Sequence, residues 1–242
     1  MSGFYKHFLD GIPEYLARHY WWAYLWRFGT WLFDHQPIIN AILFGQYRKL
    51  MRTALSRIEP GSSGRMLQLT CVYGQLTPKL QTMLGGQALH LTDVAPVQLR
   101  LAQRKAPPNG RLLPTRMNAE CLGYKTHSFG TVIIFFLMHE MPVEARHRAL
   151  AEALRILKPG GRLLITEYAA LPKHHWLYRF PLSRWILTRL EPFLDGFWHE
   201  NTGALLSTLS QAQGSGVRAT WNRDIFFGFY SVSEYQTDSV SS

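Results

Sequence analysis

The feature that most restricts the fold of this chain is a regular alternation of short apolar segments with amphipathic ones, which begins at Arg65. β-prone apolar runs cover residues 66–70, 88–92, 131–137 and 162–166. Alternation of this kind is typical of an α/β domain built on a parallel, doubly wound sheet. The run over 131–137 is apolar throughout, as a strand buried on both faces should be.

Amphipathic segments follow these strands, and they predict helices from about Thr77, over 96–105 and over 143–157. Pro159-Gly160-Gly161 is expected to end the last of them. Residues 172–213 then interrupt the alternation, and we expect a mostly helical insertion there that covers a substrate. Two further β-prone runs, 217–221 and 225–232, predict a closing pair of strands.

The first 60 residues differ in pattern from the rest of the chain. Residues 13–33 predict an aromatic helix, and residues 34–58 predict a second helical stretch that is basic toward its end. A Pro/Gly/Ser-rich linker over 60–64 separates them from the α/β region. We therefore predict an N-terminal extension over 1–60, a main domain over 61–235 and a tail over 236–242.

Two roles are open for the predicted aromatic helix. Its Trp and Tyr rings beside Arg18 and Arg27 suit a membrane interface, where amphipathic rings and lipid phosphates meet. The same rings can instead form a lid over the main domain, and one helix can do both. We expect no bilayer-spanning segment, because Arg18, His19 and Arg27 interrupt residues 15–33. No signal peptide is expected either, since the first residues lack an apolar run.

The overall charge and the cysteine content restrict the partners. The formal net charge is +10, and the chain contains 8 Trp. Such a composition suits nucleic acid or an anionic membrane surface. No basic run is interleaved with a stacking motif, so we do not expect a nucleic-acid partner. Cys71 and Cys121 form neither a disulfide framework nor a Cys-x-x-Cys zinc pattern, and a reducing compartment fits best.

Residues 65–79 predict a strand, a tight loop and the start of a helix. This arrangement commonly binds nucleotide-like cofactors, because backbone N–H groups at the helix start face the ligand. Gly74 is the only glycine in the stretch. Thr70, Val72 and Tyr73 therefore present side chains where bare backbone is usual. Tyr73 is a candidate catalytic residue, and a buried, space-filling ring is the alternative.

Polar residues follow the next strands. Asp93 ends the second strand, where a carboxylate accepts the two hydroxyls of a ribose; a surface turn is the alternative. His139 and Glu140 follow the apolar strand, and Glu167 ends the next one. The carboxyl ends of parallel strands face the ligand crevice. His139 and Glu140 are therefore candidates to bind a divalent metal or to transfer a proton, with a structural hydrogen bond as the alternative.

The insertion offers one more pair of candidates, His174 and His175. They are weaker candidates, because an exposed position without a role is the simpler expectation.

Taken in order, these features resemble class I S-adenosylmethionine (SAM)-dependent methyltransferases over roughly residues 65–232. The carriers are the strand–loop–helix, Asp93, Asn118-Ala119-Glu120, Phe129-Gly130-Thr131-Val132-Ile133-Ile134, His139 and the Leu-Lys-Pro-Gly-Gly-Arg-Leu-Leu-Ile stretch. The resemblance implies a Rossmann-like fold with an N-terminal helical extension and SAM as the cofactor. The implied SAM-binding residues are Gln68, Thr70, Val72, Gly74, Asp93, Asn118 and Ala119. Asn118 would accept from the adenine amine, where many members of the class have Asp.

More narrowly, the chain is similar to quinone-ring methyltransferases and resembles the RquA family of rhodoquinone-biosynthesis proteins. The carriers are Tyr15-Leu16, the stretch over 19–24 and the loop over 69–77. This resemblance implies that SAM donates its amino group, with Mn²⁺, to replace a methoxy group of a ubiquinone-type quinone. We expect peripheral membrane association, on the cytoplasmic face of a bacterial inner membrane or at the mitochondrial inner membrane.

Gln68 stands where SAM methyltransferases normally have an acid that helps to hold the methionine end of SAM. A carboxylate would favour the protonated amine, which has no lone pair for attack on a quinone. Our hypothesis is that a neutral Gln68 lowers the pKa of this amine and frees the nucleophile. The alternatives are that Gln68 is only a neutral hydrogen-bonding substitute, or that the altered loop has lost SAM.

Three functions remain open on the sequence alone: amino transfer to a quinone, which we prefer, conventional quinone methylation, and a non-catalytic scaffold that binds quinone. Retention of Asp93 argues against the scaffold.

Overall fold

The computed structural model describes residues 11–59 and 64–239. Its strands are β1 (Met66–Gln68), β2 (Ala88–Asp93), β3 (Arg111–Arg116), β4 (Phe129–Phe135), β5 (Leu157–Tyr168), β6 (Val217–Ile225) and β7 (Tyr230–Thr237). They form one sheet in the order β3-β2-β1-β4-β5-β7-β6. β1 to β5 are parallel, whereas β7 runs antiparallel to both of its neighbours. The predicted α/β, Rossmann-like fold is confirmed.

The α-helices in the described residues lie in three groups. The N-terminal group contains α1 (Glu14–His19), α2 (Arg27–Phe33), α3 (Gln36–Ile42) and α4 (Tyr47–Leu55). The sheet is flanked by α5 (Leu76–Met83), α6 (Pro96–Arg104) and α7 (Val143–Ile156). The insertion contains α8 (Trp176–Arg179), α9 (Pro181–Leu190), α10 (Leu194–Trp198) and α11 (Thr202–Ala212), which confirms its helical character.

The centre of the sheet is the core of the molecule. Leu67 of β1 pairs with Val132 of β4, which pairs with Leu163 of β5, and all three side chains are fully buried. Helices on both faces exclude water from these strands, as their unbroken apolar sequences require. The carboxyl ends of the parallel strands therefore meet at one edge of the sheet.

The last strands differ from the prediction in their boundaries. α7 ends at Ile156 because Leu157 is already extended and pairs with Phe129, so Pro159-Gly160-Gly161 lies inside β5 and does not end the helix. The final strand covers 230–237, so the bounds predicted for it, 225–232, are wrong. The first part of the predicted run forms a turn, in which Phe226, Phe227 and Gly228 have positive φ.

The predicted single helix over 13–33 is also wrong, because the segment folds into three pieces. α1 is followed by a π-helical turn, Trp21–Leu25, and by α2, and Trp26 between the last two has extended backbone. Gly29 makes this packing possible, since a Cβ there would lie 1.8 Å from the carbonyl oxygen of Trp22. The chain thus folds back on itself and presents two sets of aromatic rings.

The boundaries that we predicted for the N-terminal extension, the main domain and the tail stay predictions. Residues 60–63 of the expected linker and residues 240–242 of the expected tail lie outside the described residues, as do residues 1–10. Across 11–59 and 64–239, none of the helices combines the length and the apolar character that a membrane crossing requires.

Candidate active site

Two neighbouring cavities lie at the carboxyl ends of the parallel strands. The first comprises about 610 Å³ of space between its walls, open solvent included. Its walls come from the ends of β1, β2 and β4, from the segment after β3 and from the N-terminal segment; the strand-side residues include Thr70, Cys71, Asp93, Asn118, Ala119, Phe136 and Leu137. Of the predicted SAM contacts, four therefore line one cavity: Thr70, Asp93, Asn118 and Ala119.

Asp93 is fixed at the floor of the first cavity by backbone hydrogen bonds. Its Oδ2 accepts from the Cys71 N–H at 3.0 Å, and its Oδ1 accepts from the Ala95 N–H at 2.8 Å. Burial raises the pKa of Asp93 to about 6, against the lowering effect of these N–H groups. A carboxylate oxygen has further lone pairs, so a ribose hydroxyl can be accepted without displacing either N–H.

Asn118 closes the cavity beside Ala119. The Asn118 Oδ1 accepts from the Glu120 N–H at 3.0 Å, and the backbone of Asn118 forms a bridge with Cys121. These contacts hold the side chain in one position at the cavity wall. The adenine contact that the resemblance implies for Asn118 and Ala119 stays a prediction.

Gln68 lies beneath the loop, and its amide is fully used by the protein. Its Nε2 donates to the Thr70 carbonyl at 2.8 Å, and its Oε1 accepts from the Thr77 hydroxyl at 2.9 Å. In the described part of the chain it lines neither cavity, and its exposed fraction is 1%. Any effect of residue 68 on a bound amine would thus act through Thr70 or through the absence of a carboxylate charge, and the amine hypothesis stays a prediction.

The loop after β1 is clamped by the N-terminal segment. The Gly74 N–H donates to Asp34 Oδ1 at 2.9 Å, and the same oxygen binds Lys105 Nζ at 2.5 Å. Gly74 has φ +82, and a Cβ there would lie 2.3 Å from the Tyr47 hydroxyl, so only glycine fits. Because its N–H is occupied by Asp34, Gly74 shapes the loop, and SAM contact through Gly74 stays a prediction.

Tyr73 connects the loop after β1 to the N-terminal segment. Its hydroxyl donates to the Ala23 carbonyl and accepts from Gln98 Nε2 at 2.9 Å. Its ring stacks on Tyr24 at 5.7 Å between centroids and lines the second cavity beside Val72. The hydroxyl is therefore committed to structure in this state, and a catalytic role for Tyr73 stays a prediction.

The second cavity is mostly apolar and comprises about 1050 Å³ of space between its walls, open solvent included. Its apolar walls come from the N-terminal segment and from the ends of β4 and α9; they include Trp22, Phe33, Ile39, Ile42, Leu43, Phe135, Phe136 and Leu190. It shares Tyr24, Cys71, Phe136 and Glu140 with the first cavity. A molecule in one cavity would therefore lie beside a molecule in the other.

The polar end of the second cavity is built around His139. His139 Nδ1 lies 2.7 Å from Glu167 Oε1, and the other Glu167 oxygen accepts from the Met138 N–H at 2.9 Å. Glu167 thus fixes the proton of His139 on Nδ1 and turns Nε2 toward the cavity. This contact fits both a structural hydrogen bond and an oriented metal-binding or proton-transferring histidine, so the role of His139 stays a prediction.

Two carboxylates face His139 Nε2. Glu140 Oε1 and Glu191 Oε2 each lie 3.9 Å from it. Tyrosines of the N-terminal segment hold both acids, since the Tyr24 hydroxyl donates to Glu140 and the Tyr20 hydroxyl donates to Glu191 at 2.8 Å. The N-terminal segment therefore contacts the polar cluster directly. The members of this cluster are His139, Glu140, Glu167 and Glu191.

Protons compensate the charge of this cluster in the absence of another cation. Burial raises the pKa of Glu140 to about 8, with His139 opposing, and burial also raises the pKa of Glu191. Burial acts to lower the pKa of His139, but Glu167 and the other two acids raise it to about 9. Buried carboxylates this close together require positive charge among them.

A divalent cation fits the same position. Ligand atoms of His139, Glu140 and Glu191 all lie within 4.8 Å of one another. One imidazole and two carboxylates form a donor set suited to Mn²⁺, Fe²⁺ or Zn²⁺. The contact between Glu167 and the far nitrogen of His139 is the one that metal-binding histidines generally have.

The insertion histidines do not join the site. His174 is exposed. His175 is buried, contrary to the exposed alternative for it, and its Nδ1 accepts from the Leu177 N–H at 3.2 Å to cap α8.

Glu191 of the polar cluster and the two tyrosines that donate to its acids, Tyr20 and Tyr24, are absent from the sequence-based candidates. Glu191 is the only acidic residue between Glu167 and Asp195, in a segment that is otherwise basic and aromatic, and this isolation is a usable signal. The two tyrosines are four residues apart, but only the folded lid shows that they face acids.

Comparison with known proteins gives a consistent result. The profile of the family described as "Methyltransferase domain" matches residues 66–161. The demethylmenaquinone methyltransferase of Lactiplantibacillus plantarum is 31% identical over 197 residues, which cover 79% of this chain and 74% of that protein. The chain belongs to the class I SAM-dependent methyltransferase family.

Other relatives match over an equal or smaller share of their length. The demethylmenaquinone methyltransferase of Thermus thermophilus is 31% identical over 173 residues, which cover 69% of this chain and 74% of the relative. The ubiquinone/menaquinone biosynthesis C-methyltransferase UbiE of Bordetella parapertussis is 34% identical over 102 residues, 40% of this chain and 38% of the relative. The chain thus spans well under two thirds of that UbiE relative.

Solved structures agree on the fold. A SAM-dependent methyltransferase from Mesorhizobium loti superposes with a TM-score of 0.56 at 14% identity, covering 79% of this chain and 97% of that one. A geranyl diphosphate methyltransferase in complex with GPP and sinefungin gives a TM-score of 0.53 at 13% identity, covering 78% and 77%. At these identities the likeness concerns the fold alone.

Proposed function

We propose that this protein transfers a group from SAM to the ring of a prenylated, ubiquinone-type quinone at a membrane surface. The observation that carries the proposal is the contact between the two cavities through Tyr24, Cys71, Phe136 and Glu140. The first cavity has the carboxylate that a ribose needs, and the second has apolar walls with a polar cluster at its end. The quinone-specific relatives support the substrate class.

We further propose that the transferred group is the amino group of SAM, so that ubiquinone becomes rhodoquinone in its reduced, hydroquinone form. Three observations support this choice: the resemblance of the loop over 69–77 to the RquA family, the neutral Gln68, and a polar cluster able to hold a cation. Methylation of a quinol requires a base but no metal. A methyl-transfer site would therefore not need two extra acids beside His139.

The proposed reaction balances without an outside oxidant. The methionine nitrogen adds to the ring carbon that bears a methoxy group, and methanol leaves. Loss of the methionine Cα proton then sends two electrons into the quinone, which becomes a hydroquinone. Water cleaves the resulting carbon–nitrogen double bond, and the products are the aminohydroquinone and a 2-keto acid.

The residues of the chain have separate tasks in this reaction. Asp93 binds the ribose and thereby positions the methionine end toward Glu140, which both cavities share. Apolar residues such as Phe135 and Ile39 bind the quinone and exclude water. The Glu140 carboxylate is placed to take the protons that the amine and the Cα release, because it lines both cavities and has two oxygens.

A bound Mn²⁺ would be held by His139, Glu140 and Glu191, with Glu167 behind His139. Such an ion would supply positive charge beside a quinone carbonyl oxygen, which makes the ring a better electrophile. The fit rests on the buried, mutually close ligand atoms described above.

A second candidate function is conventional C-methylation of a demethylated quinol. It is favoured by the relatives, which are quinone methyltransferases. The same two cavities would serve it, with His139 as the base.

The test uses a host that makes ubiquinone but no rhodoquinone. Expression of this chain should produce rhodoquinone in the lipid extract, and the variant Asp93→Ala should not. If the wild type produces no rhodoquinone but a demethylated quinone becomes methylated, the second candidate function replaces amino transfer.

A further inference from the structure

An unusual surface lies beside the mouth of the second cavity. It is formed by α8 and α9, whose apolar side chains face outward. The exposed fractions are 59% for Trp176, 56% for Phe180, 57% for Leu182, 62% for Trp185, 43% for Ile186 and 56% for Leu190. We call this set the α9 face.

The α9 face has helical periodicity. Leu182, Trp185, Ile186 and Leu190 are spaced three and four residues apart, so they share one side of the helix. The opposite side packs inward through Leu187, which has an exposed fraction of 9%. The inward orientation is fixed, because the Ser183 hydroxyl contacts the Leu177 carbonyl at 2.6 Å. The apolar stripe is therefore displayed to solvent by the fold itself, and patches of this kind mark binding surfaces.

The charged residues of the segment that carries the stripe are all basic. Residues 171–190 contain Lys173, Arg179, Arg184 and Arg189 and no acidic residue. All four side chains are exposed. Arg184 lies over the Tyr178 ring at 5.4 Å, and in the described ranges none of the three arginines forms an ion pair. Unpaired cations around an apolar stripe are what an anionic lipid surface binds.

A second copy of this chain fits the face less well. In a symmetric dimer the same patch meets itself, so the arginines of the two copies would be brought together. Anionic headgroups would instead neutralise Arg179 and Arg189 while the Trp185 ring enters the interfacial layer.

The stripe is continuous with the second cavity. Leu190 belongs to the α9 face and also lines that cavity. Ile42 also lines the cavity and has an exposed fraction of 48%, so both residues lie where the cavity meets solvent.

We infer that the α9 face docks onto an anionic phospholipid bilayer and holds the solvent-facing end of the second cavity, at Ile42 and Leu190, at the lipid surface. A prenylated quinone then enters ring first, while the far end of its tail stays in the bilayer. Docking to the bilayer does not depend on the reaction that the protein catalyses. The entry route of the quinone, in contrast, rests on the proposed function.

The experiment is flotation of the full-length protein with phosphatidylcholine vesicles that contain phosphatidylglycerol. The variant Leu182→Gln/Trp185→Gln/Ile186→Gln should lower the vesicle-bound fraction at least tenfold. The control Leu113→Gln/Val143→Gln changes exposed apolar residues outside the insertion and should float as the wild type does. Calorimetry with SAM reports whether each variant is folded.

The outcomes separate docking from chemistry. Wild-type protein that does not float, or a triple variant that floats equally well, overturns the inference. If the only effect of the triple substitution is a change from dimer to monomer in light scattering, the α9 face binds a second copy of the chain. That result also overturns the inference. With a short-tailed quinone in solution, the variant should keep wild-type turnover and lose at least tenfold on vesicle-embedded quinone. If no quinone reacts with the wild type, the proposed function fails, and flotation still decides docking.

Discussion

The Tyr24 hydroxyl of the N-terminal segment donates a hydrogen bond to the Glu140 carboxylate at the end of the central strand. Tyr20 does the same for Glu191 of the insertion, at 2.8 Å. Two segments that flank the α/β domain thus meet over one polar cluster. The lid interpretation of the aromatic region is supported by these contacts. Its outward rings, such as Trp21 and Trp31, remain available to a membrane.

The first prediction concerns the lid contact. Tyr24→Phe should lower turnover about tenfold with little change in SAM affinity, because a hydrogen bond to a carboxylate contributes about 1.5–3 kcal/mol. Steady-state kinetics with calorimetry checks it. Tyr178→Phe, which alters a tyrosine of α8 that lines neither cavity in the described residues, is the control. Equal turnover of wild type and Tyr24→Phe would remove Tyr24 from the site.

The second prediction concerns SAM. Asp93→Ala should weaken SAM binding by about 1–3 kcal/mol, the cost of losing hydrogen bonds to a charged group. Because burial raises the pKa of Asp93 to about 6, the wild type should lose affinity as the pH falls below about 6. Protonation removes the charge that favours the ribose hydroxyls, so affinity should be constant above this range. The variant should lack this pH dependence, and a folded variant with unchanged affinity would refute the ribose assignment.

The third prediction concerns the metal. Electron paramagnetic resonance should detect Mn²⁺ bound to the purified wild type, and Glu191→Gln should weaken that binding at least tenfold. Glu167→Gln should weaken it roughly 10- to 100-fold, as loss of a partner behind a ligating histidine generally does. Glu144→Gln, an exposed acid of α7, serves as the matched control. Identical Mn²⁺ titrations for all four proteins would show that the cluster holds no metal.

The fourth prediction concerns Gln68. Gln68→Glu would replace the donor to the Thr70 carbonyl by a charge near the expected methionine end. If that charge raises the pKa of the amine by about one unit, free amine falls about tenfold. Amino transfer should then slow and recover partly as the pH rises. Overlapping pH–rate profiles would mean that Gln68 is only a structural residue, as its bonds to Thr70 and Thr77 allow.

The α/β core is predictable from the sequence because strand and helix periodicities are local properties. The runs over 88–92 and 131–137 correspond to β2 and β4, and Asp93 lies at the strand end where it is expected. The edge strand β3 escapes prediction, since Pro114 weakens a strand pattern; a proline is tolerated there because β3 pairs on one side only.

The polar cluster could not be predicted as a whole, because its members come from distant segments. Glu140 and Glu191 approach the same histidine nitrogen only after the insertion folds over the sheet. The break at Trp26 is likewise invisible in the sequence pattern. It depends on the close approach of Gly29 to Trp22, which no periodicity reveals.

The fate of labelled atoms distinguishes amino transfer from methyl transfer. Purified protein and Mn²⁺ are incubated with vesicles that contain both ubiquinone and a demethylated quinol. The SAM carries ¹⁵N in its amino group and deuterium in its S-methyl group, and the quinones are analysed by mass spectrometry. We expect a rhodoquinone that contains ¹⁵N and no deuterium. A quinone that gains the deuterated methyl group and no ¹⁵N would contradict amino transfer by this protein.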